Sequence, residues 1–212
     1  MRKRKAGEGG ADFQSIVEIK EKATGGESRV VAMGSQKKMP VSLDDLHFIP
    51  AQVERIPSNR EDPVDTGVFI GPMARRPLHV TSPILISGMG FGATSKNVHI
   101  IISRSAARLG IAFSTGEGGV LTEVLQAAAP WCICQYSTGR FGISDAILKQ
   151  AAAVEIRFGQ GAYPGKGSYL PAAKMTAEVA AIRGLAPGED ANSPAHHPDM
   201  ITPEQIAGKV AH

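Results

Sequence analysis

Three glycine-rich segments constrain this chain more than any other feature, because each directly follows an apolar, strand-like run. "GMGFGAT" follows "PILIS", "TGEGG" follows "IAFS", and "GQGAYPGKG" follows "VEIRF". Glycine carries no Cβ, so a chain rich in it lets another group approach the backbone closely. Loops of this kind at equivalent strand ends imply successive strand tips converging on one large, flat ligand.

The rest of the sequence supplies the frame for those loops. Strand-like runs are expected at 83–89, 111–116, 132–137 and 153–159, and helices at 95–110, 143–151, 176–184 and 202–212. Ser95 reads as an N-cap and Gly110 as a helix stop. Val98, Ile101, Ile102, Ser105 and Leu109 are expected to share one face of that helix. Thr202 with Pro203 opens the last helix. Strands alternating with helices imply βα units and a parallel sheet, and ligands of such sheets gather at the carboxyl ends of the strands. A further helix is expected over Asp12–Ala23, capped by Asp12 and stopped by Gly25-Gly26, and "SLDDL" reads as a capping-box turn. Prolines at 40, 50, 57, 63, 72 and 77 punctuate the segment between. The domain expectation is therefore an N-terminal helix and loop-rich arm over 1–77, then a barrel domain over 78–212. No internal repeat is evident.

Gly88, Gly90 and Ala93 also satisfy the G-x-G-x-x-A pattern of a dinucleotide-binding turn, with Glu117 as a candidate ribose-binding acid. Three features oppose that reading. The acid lies inside a second glycine loop, a long irregular segment comes first, and two glycine loops would be left without a role. A barrel whose strand-end loops meet a planar ligand such as a flavin accounts for all of them.

Composition excludes some other functions. The formal charge is +3, from 23 basic against 20 acidic residues, too balanced for a nucleic-acid surface. No run approaches the ~18 apolar residues of a membrane span. The opening "MRKRK" is not followed by an apolar stretch, so a signal peptide is not expected. These features place the chain in the cytoplasm as a soluble protein, with no nucleic-acid or membrane partner. Cys132 and Cys134 are separated by one residue, which is not zinc or redox spacing; on a strand they share a face and read as buried, reduced thiols.

The segments "PILISGMGFGATS", "STGEGG", "QYSTGRFGIS", "VEIRFGQGAYPGKGSYLP" and "SPAHHPDMITPEQIA" occur in one order. In that order they resemble the FMN-binding domain of glutamate synthase, including the stand-alone glutamate-synthase-like proteins and the related N-methylglutamate synthases. The resemblance runs from about residue 46 to the end. It implies an α/β fold, the first half of a (β/α)8 TIM barrel preceded by the irregular arm, with FMN as cofactor. The implied reaction reduces 2-iminoglutarate, made from 2-oxoglutarate and ammonia, to glutamate, in nitrogen assimilation.

The same resemblance assigns residues. Gly88, Met89, Gly90 and Phe91 would lie along the isoalloxazine, with Gly116 near its edge and Gln135 and Arg140 facing it. Glu117, Arg157 (a lysine in most of the family) and Gln160 would be catalytic. Arg183 would read a substrate carboxylate, a task suited to a guanidinium. Tyr163 and Tyr169 stand where the family has a lysine and a glutamine near flavin and 2-oxoglutarate. A phenol carries no positive charge at pH 7, so another imino or keto acid becomes an alternative substrate. His196-His197 match a paired-histidine loop; neighbours on extended chain point apart, which favours a structural role and no metal site.

The chain ends within a helix, before the phosphate-binding strands and the cysteines that hold the family's iron–sulfur cluster. The expectation is the N-terminal part of a longer protein, which alone is inactive, with separate glutaminase and electron-donor subunits or ferredoxin as partners. A non-catalytic subunit completing a split barrel is the alternative from another class.

Overall fold

The computed structural model describes residues 13–25, 41–49, 53–159 and 167–211. Asp12, Gln160 and Tyr163 lie outside the described residues. The chain divides into two compact units, Met1–Lys38 with Gly161–Tyr163, and Met39–Gln160 with Pro164–His212. The described part of the first unit is helix α1, Phe13–Gly25, which ends at the expected glycine.

The second unit is a mixed α/β structure. Within the 41–77 segment, the "SLDDL" turn forms as read: Ser42 N–H donates to Asp45 Oδ2 at 2.8 Å. The segment is less irregular than the prolines suggest, because β1 (Val68–Ile70) pairs antiparallel with β2 (Leu78–Val80). Four parallel strands follow in the order β3 (Leu85–Ile86), β4 (Ala112–Ser114), β5 (Cys132–Tyr136) and β6 (Ala153–Ile156). Helices α2 (Lys96–Leu109), α3 (Thr122–Ala128) and α4 (Asp145–Gln150) connect them. After β6 come β7 (Tyr169–Leu170), α5 (Ala177–Arg183), β8 (Ala191–Asn192) and α6 (Pro203–Ala211), with β7 and β8 antiparallel.

Local chemistry explains most helix ends. Gly110 and Gly184 take left-handed backbone at φ 64° and 72°, the terminating conformation that glycine adopts without a Cβ penalty. Thr176 accepts from the Val179 N–H at 3.3 Å and caps α5. Lys96 ties three helices together, reaching Glu123 of α3 at 2.6 Å and Glu178 of α5 at 2.8 Å.

On α2, which packs against α3, His99, Ser103 and Ala106 are buried and Ile102 is partly buried against the core, while Ile101 and Leu109 are well exposed.

The parallel sheet has two distinct faces. Phe113, Cys132 and Cys134 belong to the helix-side core with Val124, Leu125 and Val179. Burying Phe113 alone stabilises by roughly 1.5–3 kcal/mol. The two thiols are free and buried, and burial pushes Cys132 up to about 12 and Cys134 up to about 11. On the other face, Ala112, Ile133 and Ala153 pack under Leu78 and Val80 of the hairpin. Two residues further along each strand that face turns polar, at Ser114, Gln135 and Glu155. The hairpin therefore seals the N-terminal end of the face and leaves the C-terminal end for chemistry. No helix among the described residues is long and apolar enough to cross a membrane.

Candidate functional site

The strand tips converge on the Glu117 carboxylate. It sits just beyond β4, is buried, and collects donors from four other segments. Ser137 Oγ donates to Oε1 at 3.0 Å; Ser193 Oγ also donates to Oε1, and Ser168 Oγ to Oε2. Arg157 Nη1 reaches Oε2 at 3.5 Å. A carboxylate offers about four lone-pair directions, and this set engages all of them.

A polar chain continues across the sheet from that point. Arg157 Nη1 donates to Gln135 Oε1 at 3.2 Å, and Gln135 Nε2 donates to Glu155 Oε1 at 3.2 Å. Ser114 Oγ closes the row on Glu155 Oε2. Strand alternation is the cause: Ser114, Gln135, Glu155 and Arg157 all fall on the face that begins apolar at Ala112 and Ile133. Gln135 is buried and Arg157 half-buried.

The glycines have a more specific reason than clearance for a ligand. A Cβ on Gly88 would meet Ser114 Oγ at 2.8 Å and Gly116 Cα at 2.9 Å. One on Gly116, which has φ +66°, would meet Gly90 N and Met89 C at 2.6 Å. The first two glycine loops are packed against each other, backbone on backbone. Gly88 and Met89 remain exposed on their outer side, whereas Phe91 is buried. In the third loop, Phe158 is half-exposed at 49% and a Cβ on Gly159 would meet nothing within 4 Å.

Arg183 projects from the last turn of α5 and is 7% exposed. Its Nη2 donates to the Phe91 carbonyl at 2.7 Å, and a Cβ on Gly118 would meet that nitrogen at 2.6 Å. Its Nε has no hydrogen-bond partner. Burial lowers its affinity for the proton, and the charge of Glu117 opposes that shift.

Arg140 lies among Tyr136, His197 and Asp199. It has left-handed backbone at φ 52°, unusual for a non-glycine residue. Its guanidinium bonds Tyr136 Oη, meets Asp199 Oδ1 at 2.5 Å, and contacts His197 Nδ1 at 3.0 Å. The Tyr169 hydroxyl lies 3.3 Å from Asp190 Oδ2. His196 and His197 diverge as expected, the first exposed and the second buried. Among the described residues, no cluster of His, Cys, Asp and Glu could hold a metal ion.

The structure thus brings Glu117, Gln135 and Arg157 into one hydrogen-bonded set, with Gly88, Gly90 and Gly116 building the wall beside it. Sequence reasoning missed Ser114, Ser137, Glu155, Ser168 and Ser193. Single serines carry no local signature, and three of these reach Glu117 from separate loops.

The polar, ion-paired cluster lies at the carboxyl ends of a parallel sheet, the end where ligands of such sheets gather. Residues 13–212 match the family model described as the conserved region in glutamate synthase. The chain belongs to the glutamate synthase family. A glutamate synthase large subunit-like protein of Rhizobium meliloti (strain 1021) is 34% identical over 201 residues, covering 94% of this chain and 45% of that protein. The archaeal glutamate synthase (NADPH) of Methanocaldococcus jannaschii is 32% identical over 227 residues, covering 94% of this chain and 44% of its own length. The chloroplastic ferredoxin-dependent glutamate synthase of Spinacia oleracea is 34% identical over 142 residues, covering 57% of this chain and 9% of that protein. The chain thus spans less than half the length of these relatives.

Proposed function

We propose that this chain forms part of an FMN-dependent oxidoreductase of the glutamate synthase type, which reduces 2-iminoglutarate, formed from 2-oxoglutarate and ammonia, to glutamate. The observation that carries the reading is the convergence of Glu117, Gln135 and Arg157 at the tips of neighbouring parallel strands. In the whole protein the four-stranded sheet belongs to an eight-stranded barrel that starts near residue 78. The exposed apolar residues Leu85 on β3 and Val154 on β6, the two border strands of that sheet, support further strands there. Phe48, Ile49, Val53 and Ile56, each at least 93% exposed, would be covered by the same completion.

The residues present fit a flavin. Gly88 and Met89 offer exposed backbone and an apolar side chain, Phe158 adds an aromatic surface, and Gln135 and Arg157 supply polar groups at the same strand ends. FMN, when bound, supplies the electron pair for the imine. Gly88, Met89, Gly90 and Phe91 would lie along the ring, with Gly116 at its edge. Arg157 brings positive charge to where a substrate anion or reduced ring would need it. Glu117 holds that cation in place and joins the surrounding loops through its serine contacts. Gln160 is assigned beside them. Arg183, with an unpartnered buried Nε, suits a substrate carboxylate. Gln135 and Arg140 would face the ring. An iron–sulfur cluster, a glutaminase subunit and a ferredoxin or other electron donor belong to the remainder of the assembly.

The position of Tyr169 favours a second reading. Its hydroxyl turns to Asp190, so the group standing at the family's glutamine does not face Glu117. A neighbouring imino acid, as in N-methylglutamate synthase, fits a pocket altered in this way.

The test is a half-reaction. The full-length protein, reduced anaerobically, is mixed with 2-oxoglutarate and ammonium. Reoxidation of the flavin with formation of glutamate supports the first reading. Reoxidation by methylamine with 2-oxoglutarate, and not by ammonium, supports the second. No reoxidation with either contradicts both.

A further inference from the structure

His197 is wholly buried, next to an exposed His196, and both of its ring nitrogens are engaged. Nε2 lies 2.8 Å from the carbonyl oxygen of Arg157, which can only accept, so Nε2 carries the proton. Nδ1 lies 3.0 Å from Arg140 Nη2, which can only donate, so Nδ1 is bare. The two contacts together define one tautomer and a neutral ring.

The ring has little freedom to turn. Tyr136 stacks on it at 5.9 Å and 14°, and Phe158 meets it edge-on at 5.4 Å and 77°. The peptide it grips is equally constrained, since the Arg157 N–H donates to the Tyr136 carbonyl at 3.0 Å. Both backbone polar groups of Arg157 are therefore held at the point where β6 has ended. Its side chain leaves that fixed backbone toward Glu117 and Gln135. On the far side, Arg140 is anchored by Asp199, which Lys209 also meets at 3.1 Å.

We propose that His197 is a positioning residue: as a neutral Nε2–H imidazole it couples the Arg140–Asp199 pair to the main chain of Arg157 and so sets where the Arg157 guanidinium meets Glu117. Its catalytic consequence rests on the flavin reading above, whereas the clamp itself does not. The charged and titratable groups facing it agree with a neutral ring. Burial most strongly pushes its proton affinity down, and the charges of Arg140 and His196 act the same way. The hydrogen bond to Arg157 and the charge of Asp199 oppose them. Tyr136 presents its ring, and Lys209 lies 5.4 Å from that ring on the same side of the cluster.

The experiment uses full-length protein labelled with nitrogen-15 in histidine and arginine. His197 is expected to show a protonated Nε2 and a bare Nδ1, unchanged from pH 8 down to about 6.5, the ordinary histidine value. In His197→Phe, which keeps the ring and the burial, the guanidinium signals of Arg157 are expected to exchange with water at least tenfold faster, with the rest of the spectrum retained. His197→Gln, which can still donate to the carbonyl, is expected to restore most of that protection. An Nδ1-protonated ring, or Arg157 exchange unchanged in the folded Phe variant, overturns the proposal. If the protein binds FMN, the Phe variant is also expected to lose about ten- to a hundredfold in kcat, the scale of a displaced reacting group. Unchanged kcat would refute the catalytic consequence. A wild-type protein that binds no FMN defeats the flavin reading alone, and the exchange measurement still decides the clamp.

Discussion

Gly116→Ala separates two explanations of the glycine loops. The backbone at Gly116 has φ +66°, where an L-residue is disfavoured by about 1–2 kcal/mol. The added Cβ would also stand 2.6 Å from Gly90 N and Met89 C. Ordinary contact begins at 3.4 Å, so the facing loop must retreat by about 0.8 Å, the difference between those two distances. Both clashing atoms are backbone, so no rotamer change relieves them. Overpacking of this kind costs about 1–3 kcal/mol, giving a total of about 2–5 kcal/mol. For a chain of this size that corresponds to a fall in Tm on the order of ten degrees. The assay is urea and thermal unfolding of the flavin-free protein. If the facing loop were not in contact, the flavin-free loss would stop at the ~1–2 kcal/mol of the left-handed backbone, and the remaining effect would fall on FMN affinity. A loss of about 1 kcal/mol or less, no more than the backbone conformation alone costs, refutes the loop-on-loop packing.

Two further outcomes follow from buried groups. Burial lowers the proton affinity of both His99 and His197 below the ordinary histidine value. The unfolded chain therefore takes up protons that the native sites refuse, and stability falls as pH drops below about 6.5. Urea midpoints between pH 7.5 and 5.5 should show that decline, and a His99→Gln, His197→Gln double variant should flatten it; a wild-type midpoint independent of pH would contradict it. Cys132 and Cys134, with thiols pushed up to about 12 and 11, should resist alkylation at pH 8 in the folded protein and react on unfolding. Rapid labelling of the native chain would place them outside the core.

The parts of this fold that were legible in the sequence are those written in local chemistry. Gly110 and the bounds of the 176–184 helix were legible because left-handed glycines and the Thr176 cap act within one turn, while Ser95 stands at the N-cap position of α2 without a side-chain bond. The parallel order of the strands was legible from the alternation of apolar runs and helices. Helix α3 was missed because Leu121 occupies its cap position and makes no side-chain bond. The β1–β2 hairpin was hidden by strands of three residues amid prolines. At the site, Glu117, Gln135 and Arg157 were named through the resemblance of the glycine-loop segments to the family, but the serines around Glu117 were not. They meet it only after residues 137, 168 and 193 are brought together in space. The contacts of Arg140 with Asp199 and His197 were likewise beyond reach, because they join residues 57 and 59 positions apart in the chain.

The most direct test is a titration of the full-length apoprotein with FMN, followed by quenching of flavin fluorescence and by the visible spectrum. The account predicts saturable binding that Met89→Asp and Arg157→Ala each weaken at least tenfold while the protein stays folded. Flavin that remains free in solution, or binding indifferent to both substitutions, would contradict the claim that these strand tips form the floor of a flavin site.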